Sequence, residues 1–367
     1  MDEKLLALMQ QQNELLERQN KLFEQLATIN ISVENTLLPG EQVLVNNLWR
    51  DEIRCGFLVT LRRKRLWNIQ LNLLAALDRV CRKHNIRYFA FFGTLLGAVR
   101  HNGFIPWDDD MDVIMLRPDF EKFKAVVKSE ITEPYFVDGW YDYKIEQEES
   151  EPPPKSFLQL VKNDQRKAHP LWWPFWPMIK LKDSRTTFAQ YLDRPHVHQG
   201  IFIDVFPFDP VPPFSDDQRK KIYEMEREML VAIALPGKIK QQAVKKKNLL
   251  ISDADLKKFL KLPHNKKAMT LEAFALKNFS RSEFVGQLRD YCLMGREISY
   301  AAKNFEAVVY LPFEKIQIPC PVGYEECLTT FYGDWRKLVI STPHSQTYSA
   351  DFSYKHFFNE KNRQITI

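Results

Sequence analysis

The stretch YFAFFGTLLGAVRHNGFIPWDDDMDVIML, residues 88–116, decides the fold of this chain. It begins with an apolar, aromatic run, Tyr88 to Phe92, which has the length of one buried strand. Because Thr is a good N-cap and LLGAV follows it, we predict that Thr94 caps a helix that runs through Arg100. A second apolar run, VIML, predicts the next strand.

Four aspartates stand between the predicted helix and the end of the second strand: Asp108, Asp109, Asp110 and Asp112. Alternate side chains of an extended chain share a face, so we expect Asp109 to point away from the other three. Carboxylates this close repel each other unless a cation lies between them, and Mg²⁺ binds carboxylates together with phosphate oxygens. A solvated acidic turn is the alternative. The apolar strand that follows and the Gly-Thr helix start that precedes favour a metal site.

A further carboxylate, Asp204, lies in the apolar run GIFIDVFPFD, residues 200–209, which predicts a buried strand. A lone carboxylate in such surroundings is costly to bury unless it is paired or binds a metal. A structural aspartate that accepts from backbone amides is the alternative. Asp209 follows Pro207, and we predict that it belongs to a turn.

These predictions combine into one site if Asp110, Asp112 and Asp204 lie on neighbouring strands beside the helix start. A helix N-terminus offers unpaired amides and a positive dipole to phosphate. Mg²⁺, or Mn²⁺ in its place, would neutralise a diphosphate and stabilise an in-line displacement at phosphorus. The third carboxylate could also orient or deprotonate an attacking hydroxyl. Arg100 and His101 are candidates for phosphate contact, or they are cations that meet the dipole at the helix C-terminus.

Three blocks of the chain resemble the LicD family of phosphotransferases, which is related to fukutin: GTLLGAVRHNGFIPWDDDMDV, GIFIDVFPFD and VGYEECLTTFYGDW. The resemblance covers roughly residues 66–345. It implies an α+β fold, a nucleotidyltransferase-like mixed β-sheet flanked by helices. By position it also implies site residues, namely Gly93 and Thr94 as the phosphate-side turn, Asp110 and Asp112 as the metal pair, Asp204 as the third carboxylate and Asp108 as a supporting aspartate.

What the resemblance implies for activity is Mg²⁺-dependent transfer of a phosphorylated alcohol from a CDP-alcohol, such as CDP-choline, to a glycan hydroxyl, with release of CMP. The acceptor would be a lipopolysaccharide, teichoic acid or capsule, or a lipid-linked precursor. Ribitol phosphate or glycerol phosphate would need the same metal motif. A nucleotidyltransferase that keeps the nucleotide on its product is an alternative. A noncatalytic scaffold would lack the metal carboxylates, and all three are present.

The domain organisation follows from periodicity and composition. We predict a coiled coil at 1–38, a helical segment that packs on the core at 39–87, a catalytic core at 88–210, a basic helical region at 211–310 and a C-terminal part at 311–367. The coiled coil rests on a heptad whose eight seam positions include six apolar residues: Leu8, Gln12, Leu15, Gln19, Leu22, Leu26, Ile29 and Val33. It predicts a homo-oligomer, and an amphipathic helix folded back on the domain is the alternative.

Composition bounds the compartment and the partners. The five cysteines are scattered, no run approaches the ~20 apolar residues of a membrane-spanning helix, and the charged N-terminus is no secretory signal, so we expect a cytoplasmic protein. Ten lysines against two aspartates between residues 236 and 268 suggest contact with the inner face of the membrane, or a solvated surface, rather than specific nucleic-acid reading. The stretch LWWPFWPM, residues 171–178, is either a packed lid or a sugar- or choline-binding surface.

Overall fold

The computed structural model describes residues 37–139, 178–190, 198–234, 249–278, 283–288, 298–340 and 347–357. The chain divides into two units, residues 1–40 and 41–367, and all helices and strands described below belong to the second. The predicted coiled coil and all but Met178 of the Trp- and Pro-rich stretch lie outside the described residues.

The described ranges contain thirteen strands and seven α-helices. The strands are β1 Glu52–Arg54, β2 Phe57–Val59, β3 Phe89–Ala90, β4 Asp112–Leu116, β5 Tyr135–Gly139, β6 Ile179–Asp183, β7 Thr187–Ala189, β8 Phe202–Pro210, β9 Phe284–Gly286, β10 Tyr300–Ala301, β11 Val308–Phe313, β12 Ile316–Pro321 and β13 Thr347–Ser349. The helices are α1 Leu61–Lys83, α2 Phe92–His101, α3 Arg117–Glu130, α4 Asp217–Ala234, α5 Asp253–Leu260, α6 His264–Asn278 and α7 Tyr324–Tyr332, with a 3₁₀ turn at Ala302–Phe305.

A seven-stranded mixed sheet forms the centre of the fold, and β8 is its longest strand. On one side β8 pairs in parallel with β4, which continues to β3. On the other side the first half of β8 pairs with β6, which continues to β5, and its last two residues pair with β9, which continues to β10. Helices α1 and α3 contact β8, so the α+β architecture is as predicted.

Helix α1 lies within the helical segment predicted at 39–87, and the Thr60 hydroxyl caps its start by accepting a hydrogen bond from the Arg63 amide at 3.2 Å. Its Gln70 side chain donates to the carbonyl of Asp109 at 2.9 Å and to that of Phe202 at 3.4 Å. One buried amide therefore connects the helix, the acidic loop and the first residue of β8.

Helix α2 differs from the prediction at its start. It begins at Phe92, with Phe91 as the N-cap residue, and Thr94 lies inside the first turn. The Thr94 hydroxyl does not cap the helix because it accepts a hydrogen bond from the Asp112 amide at 2.8 Å. The predicted strand at Tyr88 to Phe92 is correspondingly shorter, since only Phe89–Ala90 pair with β4.

Helices α4, α5 and α6 enclose a core of their own, built from buried residues of each helix, such as Leu230, Leu256 and Leu271. These three helices lie in the basic helical region predicted at 211–310, which also contains β9 and β10. Among the described helices, none is both long enough and apolar enough to cross a bilayer.

Candidate active site

The register of two parallel strands brings two of the predicted carboxylates side by side. Asp112 is the first residue of β4 and Asp204 is the third residue of β8, and the two are Cα partners in the ladder. The Asp204 amide donates to the carbonyl of Met111 at 2.9 Å, which fixes this register immediately before Asp112. The expectation that these carboxylates lie on neighbouring strands is therefore met.

The three preceding aspartates form a loop rather than an extension of β4. One carboxylate oxygen from each of Asp108, Asp109 and Asp110 lies within 4.8 Å of the others, a spacing that a single cation could bridge. The strand alternation behind the prediction for Asp109 does not extend to the loop, because β4 begins only at Asp112. Asp109 is nevertheless the most buried of the three. Its charge acts on Tyr348, whereas the charges of its neighbours act on Tyr332, as expected if Asp109 points away. An all-carboxylate set of ligands is the kind that Mg²⁺ and Mn²⁺ prefer.

The start of α2 is shaped to receive the acidic loop. A Cβ atom added to Gly93 would lie 2.5 Å from Oδ2 of Asp108, so only glycine allows this approach. Thr94 holds the Asp112 amide, and the Phe91 amide donates to the Asp112 carbonyl at 3.2 Å. Gly93 and Thr94 therefore position two aspartates against the helix N-terminus, which is a structural role beyond the phosphate contact that we predicted.

The carboxylates repel each other strongly. Burial raises the pKa of Asp112 well above its usual value, and the charges of Asp110, Asp204 and Asp108 raise it further. Burial, followed by the charge and hydrogen bond of Asp110, also raises the pKa of Asp108. A bound cation would relieve this repulsion, so the electrostatics fit a metal site.

Lys180 is a site residue that the sequence analysis missed. It lies on β6 as the Cα partner of Asp204, and its buried ammonium is 2.6 Å from Oδ1 and 3.0 Å from Oδ2 of Asp204. The next lysine on the same face, Lys182, is 2.5 Å from Asp138. The strand sequence IKLKD contained a signal, because two lysines on one face of a buried strand need partners.

Arg100 and His101 lie at the opposite end of α2 from Gly93. The Arg100 guanidinium donates to the carbonyls of Trp335 at 3.1 Å and Lys337 at 3.2 Å, and to Nε2 of His101 at 2.9 Å. Nδ1 of His101 is 3.7 Å from the Cys55 thiol. Burial, followed by the charges of Arg100 and Arg54, lowers the pKa of His101 to about 4, so His101 is not a cation at neutral pH. The contact of both residues with phosphate stays a prediction.

Helix α7 brings the third motif of the sequence to the site. Its Phe331 ring packs on Phe92 at 5.2 Å between centroids. Burial raises the pKa of the Tyr332 phenol, and so do the charges of Asp108, Asp112 and Asp110, so this side chain lies in the field of the carboxylates. Local sequence could not have predicted this placement, because it depends on packing between segments more than 200 residues apart.

Comparison with known proteins agrees with this geometry. The family described as LicD/FKTN/FKRP, nucleotidyltransferase domain, matches residues 85–214. The lipopolysaccharide cholinephosphotransferase LicD of Haemophilus influenzae is 30% identical over 283 residues, which cover 76% of this chain and 92% of that protein. An uncharacterized protein of Rickettsia typhi is 49% identical over 45 residues, 12% of this chain and 15% of that protein. The family match contains Asp108, Asp109, Asp110, Asp112 and Asp204.

Proposed function

The chain belongs to the LicD family of phosphotransferases, and we propose that it transfers phosphocholine from CDP-choline to a hydroxyl of a cell-surface glycan, with release of CMP. The observation that carries this proposal is the cluster of Asp108, Asp110, Asp112 and Asp204 at the start of α2. The name of the Haemophilus influenzae relative supports both the alcohol and a lipopolysaccharide acceptor.

Asp108 and Asp110 have carboxylate oxygens within 4.8 Å of each other, and the charges of these two and of Asp204 raise the pKa of Asp112, so the carboxylates fit a divalent cation. We propose that Asp110, Asp112 and Asp204 hold Mg²⁺, or Mn²⁺ in its place, with Asp108 in support. Mg²⁺ would supply charge neutralisation for the diphosphate and for the phosphate that leaves. Thr94, Gly93 and Lys180 hold Asp112, Asp108 and Asp204 in place.

The reaction needs one proton to be removed and one phosphate ester to be released. The acceptor oxygen forms a bond to the phosphorus that carries the alcohol, and the bond from that phosphorus to the CMP oxygen breaks. The hydroxyl proton passes to a carboxylate, for which we propose Asp204, because Lys180 fixes its orientation. The first turn of α2 faces the acidic loop, and its amides would bind the donor phosphates.

The test is a panel of donors that share CDP and differ in the alcohol: choline, ethanolamine, glycerol and ribitol. With Mg²⁺ and a glycan acceptor, we expect CMP release and an acceptor mass increase equal to phosphocholine, and EDTA should abolish both. Faster turnover of CDP-ribitol or CDP-glycerol would mean that the transferred alcohol is ribitol or glycerol and not choline. Absence of CMP release from every donor would refute the proposed reaction.

A nucleotidyltransferase is the alternative, and the family description that includes a nucleotidyltransferase domain keeps it in consideration. It would transfer CMP from CTP to a phosphorylated alcohol and release diphosphate. Incubation with CTP labelled in the cytosine ring separates the two reactions, because only the nucleotidyltransferase leaves the label on an alcohol product.

A further inference from the structure

Four aromatic side chains form a continuous surface beside the carboxylates, and each of them reaches solvent: Phe92, Phe206, Phe331 and Tyr332. We call these four side chains the aromatic surface. The Phe92 ring lies 6.0 Å from that of Phe206 and 5.2 Å from that of Phe331. The Phe331 and Tyr332 rings are 4.7 Å apart, and Tyr332 is 38% exposed. Strands and helices distant in sequence thus contribute to one patch.

The aromatic surface borders the proposed metal ligands directly. Phe206 follows Asp204 by two residues on β8, so the two side chains share a face of the sheet. Phe92 immediately precedes Gly93, whose backbone meets Asp108. The carboxylate charges that raise the pKa of Tyr332 place the far side of the surface within reach of the same cluster.

Phe92 has an unusual backbone that holds its ring in this position. Its φ is +47°, in the left-handed region that bulky residues rarely occupy. Such a conformation costs free energy and persists where packing maintains it, often at functional sites. Here the ring packs between Phe206 and Phe331, and its contact with Phe208 has a centroid distance of 6.3 Å.

The chemistry of this surface favours a cationic group. The face of an aromatic ring attracts a quaternary ammonium, and the neighbouring carboxylates add to that attraction. In CDP-choline the ammonium is separated from the phosphorus only by an oxygen and two carbons. A phosphate bound at the carboxylate cluster therefore leaves the ammonium beside the rings that border that cluster.

We propose that the aromatic surface, with Tyr332 at its exposed edge, binds the quaternary ammonium of the donor and thereby selects choline. This inference rests on the proposed CDP-alcohol chemistry. It assigns alcohol recognition to α2, β8 and α7.

The test compares CDP-choline with its neutral isostere, the CDP ester of 3,3-dimethylbutanol, in which carbon replaces nitrogen. We expect wild-type kcat/KM to be about tenfold higher for CDP-choline, in keeping with a cation–π interaction of 1–2 kcal/mol. Tyr332→Leu and Phe331→Leu should remove most of this preference by lowering kcat/KM for CDP-choline alone. Tyr332→Phe keeps the ring and should retain the preference. Tyr310→Leu, at a tyrosine 54% exposed on β11, is the matched control.

Each remaining outcome has a definite meaning. Equal losses of kcat/KM with both donors would overturn the inference. They would mean that the surface contacts the cytosine that both donors share, or that it positions other site residues. An unchanged preference in Tyr332→Leu would also overturn it. Equilibrium binding of phosphocholine needs no turnover: its retention in Tyr332→Leu would refute the ammonium site. Failure of wild type to release CMP from any donor, with phosphocholine binding lost in Tyr332→Leu, would refute the proposed reaction and leave the ammonium site supported.

Discussion

The two ends of strand β8 handle buried carboxylates in opposite ways. At its last residues, Asp209 receives two hydrogen bonds of 2.7 Å from the Arg117 guanidinium. Arg117 also lies 3.0 Å from Glu121, and Lys124 pairs with Glu121 and with Glu272. Near its first residues, Asp204 has Lys180 as its cation and meets Asp112 across the ladder, with Asp108 and Asp110 nearby.

The difference separates a structural network from a binding site. At the Asp209 end, Arg117 and Lys124 pair with three acidic groups, Asp209, Glu121 and Glu272. At the Asp204 end the carboxylates raise one another's pKa, a cost that folding alone does not explain. Such unrelieved repulsion is expected where a cation or a cationic ligand binds.

The largest effect on stability should come from Arg117→Met. It would leave Asp209 buried without its cation, so we expect a loss of about 3–5 kcal/mol in the free energy of unfolding. Chemical denaturation measures the loss. Arg82→Met is the matched control, because Arg82 is exposed in its pair with Asp78 and should lose less than about 1 kcal/mol. Equal losses in the two variants would contradict the comparison.

Asp112→Asn should lower activity without lowering stability. We expect kcat to fall by about 10²–10³-fold, comparable to the loss of a group that stabilises the transition state. The metal-free variant should be at least as stable as wild type at pH 7. Because the folded pKa of Asp112 is raised, its ionisation costs stability as pH rises through that pKa, and Asn removes the cost. Asp216→Asn, at an exposed aspartate, is the control. Near-normal activity of Asp112→Asn would contradict the metal assignment.

The sequence could predict the elements around the aspartates because their signals are local. The α1 helix, the strand that contains Asp204 and the α2 helix through Arg100 all follow from periodicity and turn residues. The Thr94 cap was wrong because a backbone amide on β4 competes for its hydroxyl. Periodicity cannot reveal such a competitor.

The roles of individual charges were harder to predict. Asp209 was expected in a turn, but it lies in β8 and its partner Arg117 is 92 residues earlier. Lys180 and Tyr332 reach the carboxylates through sheet register and helix packing, which no short stretch encodes. The aspartates of the candidate site were therefore predictable from the sequence, whereas Lys180 and the aromatic surface were not.

Metal addition should sharpen the comparison further. At a concentration one hundred times its Kd, Mg²⁺ should stabilise wild type by about 2.7 kcal/mol, since it binds the folded state. Lys180→Met should be less stable than wild type without metal and should gain more from Mg²⁺, because the cation compensates Asp204. The Arg117→Met variant should gain no more than wild type. Thermal denaturation with Mg²⁺ and with EDTA measures these shifts, and an equal gain in both variants would contradict the distinction.

The smallest expected effect concerns Glu226, a buried carboxyl group near the Asp209 end. Burial and the charge of Asp209 raise its pKa to about 9, so this end accommodates the additional acid by keeping it protonated. The folded state then holds a proton that the unfolded state releases above about pH 4.5, and stability falls as pH rises from there to about 9. Glu226→Gln should flatten this dependence and stabilise the protein at pH 7, with little change at pH 4.

Denaturation curves across that pH range measure the effect. Glu224→Gln, at an exposed glutamate on the same helix, is the control and should leave the profile unchanged. Parallel profiles for Glu226→Gln and wild type would mean that Glu226 is ionised at neutral pH. The Asp209 end would then carry an uncompensated charge of its own, and charge balance would no longer distinguish the two ends of β8.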